Sequence, residues 1–190
     1  MQGAFAAELD RTVLNATRRI VNLDGLQAEG VLRVPCEHSL QVEYGERLLS
    51  DGQHESALDG VSDPHVVASA LKYWLRAQRV LPTHGAARLQ LSHAAEAAAI
   101  AGRQPGGWQE AASQAATASL LRVVAELPHP SRAILAALLP FLVLVAQSPS
   151  TRMSSYAVAV CMAPVLFSDE SIPDYIKVEI QAETDKMIKE

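Results

Sequence analysis

From Ala133 through Thr151 the sequence carries no charged side chain. A helix lying on a protein surface normally has a polar face, so the stretch "AILAALLPFLVLVAQ" demands an apolar neighbourhood. Its apolar run, Ala133–Ala146, is too short to span a bilayer, holds Pro140 at its middle and gives way to "QSPST". The sequence therefore predicts a buried helix over Ser131–Gln147, capped by Ser131 after the breaker Leu127-Pro128. The other expectation for this helix is an apolar surface offered to a flanking domain or to a second copy of the chain, a homo-oligomer contact.

A helix buried on every side needs other helices around it, and the chain supplies candidates. Phe5, Leu9, Val13 and Ile20 fall near helical spacing, and Asp24-Gly25 closes that segment. Ser39–Leu49 reads as a second helix ending at "SDG". In "SDPHVVASALKYWLRAQ", Asp63 is a good cap and Pro64 suits the first helical position. Val66, Val67, Ala70, Leu71, Trp74 and Leu75 then form one apolar stripe, with Lys72 and Arg76 together beside it. Two alanine-rich helices are expected near Ala86–Ala101 and Trp108–Glu126, split by "GRQPGG", with Leu89, Leu91, Leu120, Leu121 and Val124 as core anchors. "SSYAVAVCMAPVLF" fits a buried strand by its alternation, or a helix with Ser154 as cap and Pro164 as terminator. Ile172–Lys189 reads as a final amphipathic helix. No repeat and no linker divides the chain, so residues 1–190 are expected to form one all-α domain, and a chain of that size buries roughly 70% of its unfolded surface.

Composition narrows the function classes. The net charge of −5 argues against a nucleic acid or anionic membrane held by bulk electrostatics. Cys36 and Cys161, the two cysteines, make no disulfide framework and suit a reducing compartment, so a cytoplasmic location is expected. Glu8 and Asp10 interrupt the N-terminal apolar stretch, which reads as no secretory signal. There is no G-x-S-x-G elbow and no phosphate-binding G-x-x-x-x-G-K. The six histidines are scattered, Cys36-x-His38 has no second cluster to complete a metal site, and Glu29, Glu37 and Glu46 show no marked pairing. No metal is expected, and an enzyme with its own substrate chemistry is not.

One arginine stands out against this background. Arg33 lies in "GVLRVPC", between Val31-Leu32 and Val34-Pro35. An isolated arginine there reads as a snorkelling side chain. Four segments in order change that reading. "GLQAEGVLRVPC" at Gly25–Cys36 resembles G-L-x-x-E-G-I-F-R-V-S-G, and "DPHVVASALKYWLR" at Asp63–Arg76 resembles D-x-H-V-V-A-x-x-L-K-x-x-L-R. Leu127-Pro128 stands before a long helix, and "TRMSSYAVAVCMAPVL" at Thr151–Leu166 resembles N-K-M-T-x-x-N-L-A-x-V-F-A-P-N-L. These are the blocks of the GTPase-activating (RhoGAP) domain for Rho-family small GTPases, and the chain is identified as similar to that family over nearly its whole length.

The resemblance implies an all-α domain that docks on a GTP-loaded Rho, Rac or Cdc42-type protein and speeds its hydrolysis. Arg33 would be the catalytic arginine finger, whose planar fork offsets charge on the transferring phosphoryl group and supplies roughly 10³ to 10⁵ in rate. Lys72 and Arg76 would support the finger loop and contact the GTPase, and Pro164 would shape the turn after its helix. No cofactor belongs to the domain itself, since GTP and magnesium are held by the partner. The sequence departs from the pattern at Leu32, at Pro35-Cys36, at Ala157 where the family has asparagine, and at Val165. Those departures carry the alternative expectation of a catalytically degenerate module that binds a GTPase or another protein as a scaffold.

Overall fold

The computed structural model describes residues 2–51, 55–81 and 108–167. Among these residues there are six α-helices and no strand: α1 (Gln2–Asn22), α2 (His38–Asp51), α3 (Pro64–Gln78), α4 (Trp108–Glu126), α5 (His129–Gln147) and α6 (Ser155–Leu166). Short 3-10 turns at Glu55–Leu58 and Pro149–Thr151 join them. The fold is all-α, as its sequence predicts. The expected helices at Ala86–Ala101 and Ile172–Lys189 lie outside the described residues.

Helix α3 is the centre. Asp63 Oδ1 accepts the His65 N–H at 2.8 Å, Pro64 takes the first turn, and Arg79 closes the helix at φ 48°. Its side chains from Val66 through Leu71, with Trp74 and Leu75, are buried, so the helix is covered on most of its circumference. It packs against α1, α2 and α6, while α5 packs against α1 and α6. Gly45 is what lets α2 come close: a Cβ there would sit 2.4 Å from the Tyr73 ring. On α1, Leu9, Val13, Ala16 and Ile20 give the buried stripe expected of its spacing. Arg19 on the same helix donates to the Val61 carbonyl at 2.6 Å and ties α1 to the approach to α3.

Three local expectations are corrected. Helix α5 starts at His129, with Pro130 in its first turn and the Pro128 carbonyl accepting the Arg132 N–H at 3.1 Å; Ser131 is therefore already helical and is not the cap. Nor is α5 buried all round. Ile134, Leu135, Leu138, Phe141, Leu142 and Val145 form its core face, but Leu139, Val143 and Leu144 are about half exposed. Leu139 and Val143, together with Val158, Met162 and Phe167, line an apolar groove of about 410 Å³ between α5 and α6. By length and composition α5 is long and apolar enough to cross a membrane, and six of its side chains are buried against the rest of the fold. On α4, Leu120 and Leu121 are exposed while Val123 and the following Leu127 are buried, because the alanine-rich helix offers only a narrow apolar edge.

The ambiguous segment is helical. Ser154 Oγ accepts the Ala157 N–H at 3.2 Å and starts α6, overriding the β-like alternation. Pro164 lies inside the last turn of α6, which runs on to Leu166, so it does not shape a turn after the helix.

Candidate functional site

The segment between α1 and α2 is a loop built on tight turns. Asp24 takes φ 56°, and Gly25 N–H bonds the Ile20 carbonyl at 2.9 Å where a Cβ would collide with the Ile20 side chain. Gly30 adopts φ 63°, and its carbonyl accepts the N–H groups of Arg33 at 2.7 Å and Val34 at 2.8 Å. Val31 and Leu32 are buried and anchor this single turn in the core. The loop is then pinned from outside itself. The Gly30 N–H donates to the Thr151 carbonyl at 2.7 Å, and Ser148 Oγ donates to the Leu26 carbonyl at 2.6 Å. Thr151 is fully buried, with its hydroxyl bonded to the Val145 carbonyl at 2.7 Å.

Arg33 leaves this turn directly after the buried Leu32 and before the exposed Val34. Its side chain is 18% exposed, and Nη2 lies 3.8 Å from Glu29 Oε1. Lys72 comes up from α3 and donates Nζ–H to the Leu32 carbonyl at 2.9 Å, so the lysine holds the peptide that carries Arg33. One turn earlier on α3, Ser69 Oγ accepts the Cys36 N–H at 3.4 Å and fixes the far end of the loop. Burial lowers the Lys72 pKa below its ordinary 10.5; nearby Cys161 opposes this, Arg76 adds to it and Cys36 opposes it. Burial raises the Cys161 thiol above its ordinary 9.0, opposed by the neighbouring charges of Lys72 and Arg33. Arg33, Lys72, Arg76 and Cys161 thus share one electrostatic neighbourhood made by the loop, α3 and α6.

Ala157 and Pro164 occupy the α6 wall. With Cys161 they fall at helical intervals that place all three on one side of that helix. Ala157 is 4% exposed, so the side chain at this position lies beneath the surface. Asparagine there would bring polar atoms into a buried place, and Ala157→Asn is expected to lower stability by about 1–2 kcal/mol in urea denaturation.

Several residues of the site lie inside the matched motifs with no role that their identity or spacing reveals. Glu29 meets Arg33 and also Arg152, whose Nη1 lies 3.5 Å from the carboxylate. Glu37 accepts the Ser39 hydroxyl, and Glu46 accepts the Tyr73 hydroxyl, so these carboxylates are engaged as well. Thr151 and Gly30 act through backbone atoms, which spacing patterns do not reveal. Among the described residues no group of three His, Cys, Asp or Glu side chains could hold a metal ion.

The Lys72 geometry carries a pH signature. A lysine whose folded pKa is lowered leaves the folded state with fewer bound protons than the unfolded chain between the two pKa values. Stability therefore rises with pH through that window, up to the ordinary 10.5. Lys72→Met removes the buried ammonium and also the donor to Leu32 O, two opposed effects that should leave stability within about 1 kcal/mol of the parent at pH 7. Urea melts between pH 7 and pH 10.5 should show the parent gaining on the variant as pH rises. Arg76 is exposed, and Arg76→Ala should leave the melt unchanged within about 0.5 kcal/mol.

The model of the RhoGAP domain matches residues 12–171. The chain is also 30% identical over 154 residues to "Rho GTPase-activating protein REN1" of Arabidopsis thaliana, a match that covers 80% of this chain and 15% of that relative. The Arg33 loop, the basic side of α3 and the turn that pins the loop all fall inside the matched span, and the chain belongs to the RhoGAP domain family.

Proposed function

We propose that this domain binds a GTP-loaded Rho-type small GTPase and stimulates its GTP hydrolysis, with Arg33 as the arginine supplied in trans. The observation that carries the proposal is the hold on the Arg33 turn: Lys72 Nζ on the Leu32 carbonyl from one side and Thr151 on Gly30 from the other. A held backbone sets where the guanidinium can reach, which limits the reorganisation left to the side chain alone. In this reading the domain is an activator and not itself an enzyme. It needs no cofactor or metal of its own, since GTP and magnesium sit on the partner. Lys72 supports the loop from within, and Arg76 presents its exposed charge to the GTPase. A net charge of −5 sets the proposal apart from nucleic-acid binding, and the two free thiols favour a cytoplasmic setting. The half-exposed Leu139, Val143 and Leu144 offer α5 as a contact for a flanking domain or a second copy.

A second reading has its own observation. Ala157 stands where the family has asparagine and contributes no side-chain amide, and Pro35-Cys36 replaces a serine-glycine pair beside the finger. A module that holds the GTPase without accelerating hydrolysis would fit those losses. Single-turnover GTP hydrolysis with a panel of Rho, Rac and Cdc42-type proteins separates the two. The proposal expects at least one member to be accelerated by orders of magnitude; saturable binding with an unchanged hydrolysis rate would establish the scaffold instead.

A further inference from the structure

The Arg33 side chain is turned back on its own loop. Its guanidinium covers the α-carbon of Gly30: a Cβ at that position would meet Arg33 Nε at 3.3 Å and Nη2 at 3.5 Å. Glycine at that position lets the guanidinium lie this close without displacement. The same guanidinium faces Glu29 Oε1 at 3.8 Å, across the turn that the Gly30 carbonyl closes. Glu29 is shared, because Arg152 Nη1 lies 3.5 Å from both of its carboxylate oxygens. Arg152 is 73% exposed and sits at φ 50° directly after Thr151, the residue whose carbonyl pins Gly30. One carboxylate thus serves two guanidiniums, and both arginines belong to segments tied into the same pinned loop.

Resting on the activator reading above, we propose that Glu29 is a positioning residue that parks Arg33 on the free domain, and that Arg152 takes over the carboxylate when Arg33 extends into the GTPase. The charge balance is the reason two arginines are needed. While Arg33 is folded back, Glu29 has two positive groups within 4 Å. Once Arg33 reaches out, a lone carboxylate beside the phosphoryl group would oppose the finger's field and draw the finger back. Arg152 leaves a neutral pair behind instead. All three groups keep solvent contact, so each attraction is small and weakens with salt.

The test combines Glu29→Gln, Arg152→Ala and the double variant, read in single-turnover hydrolysis at low salt. Glu29→Gln is expected to raise the stimulated rate about two- to fivefold, and Arg152→Ala to lower it by a similar factor. In the Gln background Arg152→Ala should have no effect, because Arg152 acts through the carboxylate. A fall in rate with Glu29→Gln overturns the proposal, and so does an equal loss from Arg152→Ala in both backgrounds, which would make Arg152 a direct GTPase contact. A second measurement is independent of any hydrolysis. The Arg33 side-chain Nε–H resonance of the free domain, assigned by its loss in Arg33→Lys, should exchange with water about two- to fivefold faster in Glu29→Gln. Unchanged exchange would show that Glu29 does not park the finger, even if the activator reading holds. Faster exchange in a domain that accelerates no GTPase would leave the parking in place and overturn the activator reading alone.

Discussion

Replacing Arg33 by alanine should abolish nearly all stimulated GTP hydrolysis, a loss of roughly 10³ to 10⁵ in rate, while affinity for the GTP-loaded partner changes far less. The asymmetry follows from where the charge is needed. Negative charge accumulates on the transferring phosphoryl group as the transition state forms, so the guanidinium contributes there and little in the ground state. Arg33→Lys should fail almost as badly, since a point charge on a flexible stem does not reproduce the planar fork. Neither change removes a core contact, because the anchors of the turn are Val31 and Leu32. Single-turnover hydrolysis and equilibrium titration, measured side by side, check both halves of the expectation. Wild-type stimulation by the alanine variant would remove Arg33 from the mechanism.

The second large effect is expected at Gly30. Gly30→Val places a β-branched side chain at φ 63°, a conformation L-residues with branched side chains rarely adopt. It also puts a Cβ 3.0 Å from the Val34 side chain and 3.3 Å from Arg33 Nε. The backbone strain alone is about 1–2 kcal/mol, and in a domain of this size that corresponds to a melting temperature lower by roughly 2–8 °C. Relaxing the strain would require the turn to open, which breaks the Gly30 contact with Thr151 and moves the peptide that bears Arg33. Stimulated hydrolysis should therefore fall by at least about tenfold in protein that is still folded, because misplacing a reacting group by an ångström costs that much or more. Calorimetry together with hydrolysis at a temperature well below the lowered transition separates the two losses. A variant that melts early yet stimulates like the parent would show that the finger does not depend on the Gly30 turn.

What could be read from the sequence, and what could not, divides along physical lines. Helix α3 was legible to the residue because Asp63 and Pro64 act locally, through a cap bond two residues long and a fixed φ. The start of α6 was legible for the same reason at Ser154. Ser131 misled because Pro130, immediately before it, already fits the first turn, and the helix begins three residues earlier than a cap at Ser131 would start it. Leu120 and Leu121 misled because apolar residues on an alanine-rich helix do not say which edge meets the core. Within the site, Arg33, Lys72 and Arg76 stood out through the resemblance of the motifs that contain them. The grip of Lys72 on the Leu32 carbonyl did not, since a backbone acceptor leaves no trace in residue identity. The Glu29 pairing was hidden more deeply. Its second partner, Arg152, is 123 positions away and arrives only because Ser148 and Thr151 dock the following turn on the loop.

The claim at the centre of this account is that Arg33 acts on the transition state of a bound GTPase. The most direct measurement is the affinity of the parent domain and of Arg33→Ala for the responsive GTPase in two forms, one loaded with a non-hydrolysable GTP analogue and one with GDP and aluminium fluoride, which mimics the transferring phosphoryl group. The account predicts that the parent binds the fluoride-loaded form at least about tenfold more tightly and that Arg33→Ala loses this preference while keeping its affinity for the analogue form. Equal affinity of the parent for both forms, or a preference that survives in Arg33→Ala, would contradict it.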